Sequence, residues 1–207
     1  MPPARADLIR RPTSAGPAGP PPRMDALEAL YGRQSVGVHR PDPVPRDVIE
    51  ALLAAASQAP DHYHERPWRF VVFTGEGRRK LGQAIADSTH RCYPEVPAPA
   101  LAAERAKPLK SPLAIAVGQA PPQHEHLQEI ESICAVACAV QNLLIAAHAF
   151  GLASHWKNGA DGDPEFKRAI GLRPAQRLIA LVYLGYPLAP LPIPPRPGFA
   201  DRTTWVE

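Results

Sequence analysis

The chain predicts a mixed α and β fold of the α+β class. Short apolar runs of strand length, rich in β-branched residues, occur at 70–73, 113–117 and 177–184. Between them, apolar residues recur at helical spacing. The strands lie far apart in sequence, and no internal repeat links them.

At 207 residues the chain is long enough for one domain with a sizeable core. Residues 1–23, MPPARADLIRRPTSAGPAGPPPR, are rich in Pro, Ala, Gly and Arg and are expected to form a disordered tail. They lack the apolar core of a secretory signal. Residues 24–207 are expected to form a single domain. Asp25 suits a helix N-cap with Glu28 as its capping-box partner, and Leu27, Leu30 and Tyr31 share one face of the helix that follows, to about Arg33. After the break at 41–45, a second helix carries Val48, Ile49, Leu52, Leu53 and Ala56 on its buried side.

A polar loop, Asp61-His62-Tyr63-His64-Glu65-Arg66, joins that helix to the strand at 70–73. Gly75-Glu76-Gly77 turns the chain into a third helix with Leu81, Ala84 and Ile85 inward. The proline-rich stretch 91–111, with one short helical piece, is expected to be a mobile or covering loop. A strand at 113–117 precedes a long helix, 123–150, apolar nearly all round in its middle and therefore buried at the centre of a domain or dimer. Gly151 suits its C-terminal turn. A strand at 152–156, a short helix opened by Asp163-Pro164, and the strand 177–184 complete the pattern. Beyond Gly185 the chain is proline-rich and irregular.

A net charge of +3 with 21% charged residues, and no long Lys/Arg block outside the tail, argues against nucleic acid. No apolar run is read as a membrane span; the best, 133–140, stops at Gln141-Asn142. Three cysteines, Cys92, Cys134 and Cys138, do not form a disulfide framework and favour the cytoplasm. His124, His126, Cys134 and Cys138 invite a metal reading. Their spacing matches no zinc pattern, and cysteines amid Ile133, Ala135, Val136 and Val140 behave as small buried hydrophobes, so no metal is expected. His148 is expected to be a core or interface histidine. Neither a dinucleotide fingerprint nor a Walker loop occurs.

An ordered set of segments resembles the FMN-dependent nitroreductase family, most of all its short bacterial YdjA-like subgroup. The set comprises the first helix ending in Arg33-Gln34-Ser35, then Ala59-Pro60-Asp61-His62, Pro67-Trp68-Arg69-Phe70, Gly75-Glu76-Gly77-Arg78, Trp156-Lys157-Asn158-Gly159-Ala160 and Tyr183-Leu184-Gly185-Tyr186-Pro187. The resemblance covers about residues 24–190. It implies a central, mostly antiparallel sheet wrapped by helices. It also implies an intertwined homodimer with two FMN sites at the interface, and NAD(P)H as co-substrate reducing the flavin.

By the same resemblance, Arg33, Gln34 and Ser35 lie near the ribityl phosphate. Gln58 and His62 line the flavin, and Trp156, Lys157 and Asn158 contact it. The chemistry of these residues agrees: a phosphate needs fixed positive charge and several donors, which an arginine fork, a hydroxyl and a backbone N–H supply. The implied reaction is reduction of a small-molecule electron acceptor, a nitroaromatic or quinone, by a ping-pong mechanism. No side chain is assigned as a catalytic acid, because the cofactor carries the hard chemistry. This chain departs from the family at Gln34, which replaces an arginine, at His64, where many members have asparagine, and at Arg66, where glutamine is common. Arg66 adds a charge near the expected flavin, and three readings stay open: it favours an anionic reduced flavin, it favours an acidic substrate, or it points to solvent. Family members with other chemistries, including dehalogenation, enone reduction and flavin fragmentation, and a flavin-binding module without turnover are the alternative readings.

Overall fold

The computed structural model describes residues 24–190, 192–193 and 195–207; the expected N-terminal tail lies outside them. The elements run α1 (Ala26–Gly32), α2 (Arg46–Ala56), a 3-10 turn (His62–His64), β1 (Trp68–Phe73), α3 (Gly77–Cys92), α4 (Ala98–Ala106), a second 3-10 turn (Lys107–Lys110), β2 (Leu113–Gln119), α5 (Glu129–Ala149), β3 (Ala153–Lys157), α6 (Pro164–Ala169), β4 (Arg177–Gly185) and a last 3-10 turn (Ala200–Arg202). The strands form one four-stranded sheet in the order β1-β2-β4-β3, antiparallel at every pairing.

Alternation along the strands builds two cores. Leu113, Ile115 and Val117 of β2 face α2 and α5, together with Ala180, Val182 and Leu184 of β4. Ala114 and Ala116 face the opposite side, where Phe73, Leu81, Phe166, Ile170, Leu181 and Tyr183 gather. A bulge opposite Val117/Gly118 lets Leu178 join the second core while Ala180 joins the first. Every residue of β2 is buried, as a strand covered on both faces requires. Such a strand shows no polar alternation, which is why its sequence is a continuous apolar run.

Several helix ends follow their sequence cues. The Asp25 carboxylate accepts from Leu27 N–H at 2.9 Å, while Glu28 forms no reciprocal bond to the cap. Asp163 caps α6 by accepting from the N–H groups of Glu165 (2.9 Å) and Phe166 (3.1 Å). Gly151, at φ +74°, closes α5 in the left-handed conformation that glycine takes without steric cost.

Other expectations change. The helix expected over 123–150 starts only at Glu129, because the Glu65 carboxylate takes the N–H groups of Gln123 and His124 and holds 123–126 as a loop. Gln128 N–H then donates to Glu131 at 2.8 Å and fixes the new start. At 21 residues, α5 is long and apolar enough to cross a membrane, contrary to the sequence expectation, but it packs on the sheet and on α2. The 91–111 stretch is mostly helical, with α4 and its 3-10 extension packed on α3; a Cβ on Gly82 would lie 2.1 Å from the Arg105 carbonyl oxygen. Cys134 and Cys138 are exposed, not buried. They share one face of α5 with Ile130, which is 57% exposed. On α1 the shared face of Leu27, Leu30 and Tyr31 also points outward. Small residues turn inward instead: Ala29 and Gly32 are buried, and a Cβ on Gly32 would lie 2.6 Å from His148 Nε2.

Candidate functional site

The two edge strands of the sheet carry different chemistry. At the β3 edge, the segment after α1 adds a short parallel bridge, Ser35 to Ser154, with Val36 N–H donating to Ser154 O at 2.9 Å. This holds Arg33 and Ser35 beside the start of β3. The C-terminal segment lies along the same stretch. Gln34 Nε2 donates to Pro192 O at 3.1 Å, and Arg196 Nη2 donates to Arg33 O at 2.7 Å. Two guanidiniums are thereby neighbours, and neither pairs with a carboxylate among the described residues. Burial lowers the pKa of Arg33, and the positive charge of Arg196 lowers it further. Partial burial and then the charge of Arg33 likewise push His148 below the usual histidine value. Clustered, partly desolvated cations without counter-charge are the donor set of an oxyanion site.

At the far end of β3, Lys157 and Asn158 are exposed and Trp156 is partly buried against the first core. Trp156 Nε1 and His155 Nδ1 are buried without a hydrogen-bond partner among the described residues. Burial, and then Lys157, lower the pKa of His155. The following loop is held by two carboxylates. Asp161 accepts from Leu178 N–H at 2.6 Å and from Arg177 Nε at 3.2 Å. Asp163 accepts from Arg91 Nη2 at 2.7 Å. Burial opposes the charge of Asp163, but the nearby Ser88 hydroxyl, the Phe166 N–H and the Arg91 guanidinium outweigh it and hold its pKa at about 2.

Gln58 and His62 stand at the opposite edge, on the connection from α2 to β1. Gln58 is exposed, its amide bonded back to Ala54 O at 3.4 Å. His62 Nε2 lies 3.9 Å from Glu131, in the first turn of α5. Arg33, by contrast, adjoins His148 in the last turn. Seventeen residues of helix separate those two anchor points, roughly 25 Å at the α-helical rise. The edge strands themselves are three strand spacings apart, roughly 14 Å. One chain therefore brings Arg33, Gln34, Ser35, Trp156, Lys157 and Asn158 to one edge and does not bring Gln58 and His62 to them. Gln34 is occupied with the C-terminal segment and offers less to a ligand than its neighbours do.

Arg196 escaped the sequence reading. Its cue is faint: a lone arginine within Pro194-Pro195-Arg196-Pro197, a stiff stretch with no acid beside it.

A profile of the Nitroreductase family matches residues 30–186. The chain belongs to this family. Among its relatives, YdjA of Escherichia coli K12, named as a candidate NAD(P)H nitroreductase, is 30% identical over 166 residues, spanning 79% of this chain and 89% of YdjA. The 5,6-dimethylbenzimidazole synthase of Rhodospirillum rubrum is 31% identical over 195 residues, covering 86% of this chain and 90% of the synthase. Among solved structures, a nitroreductase-like family protein from Bacillus cereus superposes with TM-score 0.77 at 26% identity, over 89% of this chain and 97% of its own. A nitroreductase with bound FMN from Bacteroides fragilis shares the fold, with TM-score 0.69 at 23% identity, over 89% and 100% of the two chains. The nitroreductase resemblance of the sequence and its antiparallel α+β architecture thus hold.

Proposed function

We propose that this nitroreductase-family chain is a homodimeric FMN oxidoreductase of the cytoplasm. It would use NADH or NADPH to reduce nitroaromatic, quinone or similar acceptors by a ping-pong mechanism. One observation carries the reading: Arg33 and Arg196, two arginines with no carboxylate partner among the described residues, meet beside an edge strand whose far end offers the exposed Lys157 and Asn158. That donor set suits a phosphate at one end and a polar planar ring at the other. Names of relatives and an FMN-bound structural neighbour agree in class.

Bound FMN supplies two-electron transfer between the nicotinamide and the acceptor. The protein's part is placement. Arg33, Arg196 and Ser35 would hold the phosphate. Lys157 and Asn158 would help to hold the flavin, and Gln58 and His62 of a second copy would line it.

The second copy is supported by surface and by distance. Leu27, Leu30 and Tyr31 of α1, beside the last turn of α5, and Ile130, Cys134 and Cys138 nearer its start leave apolar side chains uncovered in one chain. Antiparallel pairing of two α5 helices would set the first turn of one against the last turn of the other, uniting the separated residues.

An anaerobic absorbance titration of the purified protein tests the reading. A flavin spectrum that bleaches with NADH or NADPH and recovers with a nitroaromatic or quinone is the expected result. Flavin that never bleaches would leave a binding module, and failure to take up FMN would remove the function altogether. Similarity to the dimethylbenzimidazole synthase favours a second reading, a flavin-fragmenting specialist. Release of 5,6-dimethylbenzimidazole from the reduced, FMN-loaded protein in air, detected by mass spectrometry, would establish it.

A further inference from the structure

The loop before β1 carries more strain than any other described segment. Tyr63 (φ +56°), His64 (φ +55°) and Arg66 (φ +49°) all adopt the left-handed backbone, which is unfavourable for side chains with a Cβ. They are the only non-glycine residues to do so among those described. Strain of this kind persists only where surrounding structure over-determines it, and it clusters at functional sites.

Here the over-determination is explicit. Asp61 accepts from Arg66 N–H at 2.7 Å. Glu65 accepts from Gln123 N–H at 2.8 Å and from His124 N–H. Ala120 N–H donates to Pro67 O at 2.8 Å. Both carboxylates of the loop are thus turned inward onto backbone donors, and the side chains left outside are aromatic or basic. Tyr63, 56% exposed, stacks on the His124 imidazole with centroids 3.8 Å apart and planes 8° from parallel. Arg66 is exposed and makes no side-chain bond among the described residues. Arg69 donates through Nη1 to the carbonyl oxygens of Arg66 (3.0 Å) and Trp68 (2.7 Å), which holds a second guanidinium close to the Arg66 backbone.

We infer that this loop is the acceptor subsite and that it selects planar aromatic substrates carrying an anionic group, such as a carboxylate. The inference rests on the oxidoreductase reading above, in which the loop stands beside the flavin of the second copy. The Tyr63–His124 pair supplies a flat face for the ring. Arg66, with Arg69 behind it, supplies the fork for the anion. Neither group forms part of the phosphate site at the β3 edge.

Calorimetric titration of the full-length FMN-loaded protein with 4-nitrobenzoate and with the uncharged 4-nitrobenzamide tests this. The acid should bind about 2- to 5-fold more tightly than the amide, the range for one exposed ion pair. Arg66→Asn, chosen because asparagine tolerates a left-handed backbone, should reduce the acid to the level of the amide, and Arg66→Lys should restore part of the preference. Tyr63→Asn should weaken both ligands alike. Equal binding by the wild type, or a preference that survives Arg66→Asn, would overturn the inference.

The other source of such an anion is the phosphate that distinguishes NADPH from NADH. If Arg66→Asn removes a preference for NADPH and leaves the acid-to-amide ratio intact, the subsite belongs to the electron donor and the acceptor assignment fails. Selective binding of the acid without NAD(P)H-dependent reduction would remove the reductase reading and leave this inference standing. Reduction of acid and amide with equal efficiency and affinity would do the reverse.

Discussion

Two loops leave the same end of the sheet, and each is pinned by a pair of carboxylates. In the 158–163 loop, Asp161 and Asp163 bond to Leu178 N–H, to the cap of α6, and to Arg177 and Arg91. No non-glycine residue there has a positive φ. In the 61–66 loop, Asp61 and Glu65 bond to backbone donors in the same manner, yet three residues are left-handed. Similar anchors hold relaxed backbone in one place and strained backbone in the other. Anchoring alone therefore does not imply strain. The strained 61–66 loop presents Tyr63 and Arg66 outward, while the relaxed 158–163 loop follows the end of β3 that carries Lys157.

The largest expected effect lies at the β3 edge. Removing both guanidiniums, Arg33→Ala with Arg196→Ala, should weaken FMN binding by about 100-fold or more. It should also abolish the rise in melting temperature that added FMN gives the wild type. A fluorescence titration of FMN checks this, and undiminished affinity would remove both arginines from the cofactor site. Glu65→Ala should come next. It frees two backbone donors and should cost about 2 kcal/mol in urea unfolding. A loss well below that would mean the strained loop is held mainly by Asp61, the Ala120–Pro67 backbone bond and the Tyr63 stack.

The anchor of the relaxed loop should show in pH dependence. Asp163 has a folded pKa of about 2, below its ordinary 3.8. Between those values the unfolded chain binds more protons than the folded one. The stability it contributes is therefore complete above about pH 5 and is lost as pH falls towards 2. Asp163→Asn should cost about 1–2 kcal/mol at pH 7 and flatten that part of the acid unfolding profile. An unchanged profile would assign the acid sensitivity to other carboxylates. The smallest effect should be a gain: His64→Gly relieves one left-handed residue and should raise stability by about 0.5–1 kcal/mol. The equivalent change in the relaxed loop, Asn158→Gly, should give no gain, and a gain there would erase the contrast.

Much of the fold was legible because regular elements announce themselves by period and caps. The apolar runs of β2 and β4, the N-caps Asp25 and Asp163, and Gly151 all stand where the pattern puts them. What escaped depends on contacts between residues remote in sequence. The start of α5 is displaced by Glu65, some sixty positions earlier. The outward turn of Leu27, Leu30 and Tyr31 follows from the close approach of Gly32 to His148. The pairing of Arg196 with Arg33 joins the C-terminal segment to the end of the first helix. Periodicity contains none of these. The left-handed run at Tyr63, His64 and Arg66 was equally hidden, since no glycine marks it.

The separation of Arg33 from His62 along α5 has a genetic consequence. In the proposed dimer every site draws one half from each chain, so defects in different halves can complement. A chain damaged at Arg33 and a chain damaged at His62 would each form dimers with no whole site. Their mixed dimer would contain one site made only of sound halves and one carrying both lesions. Unfolding and refolding the two inactive proteins together should therefore recover about a quarter of the wild-type sites by random pairing, and two copies bearing the same lesion should recover none.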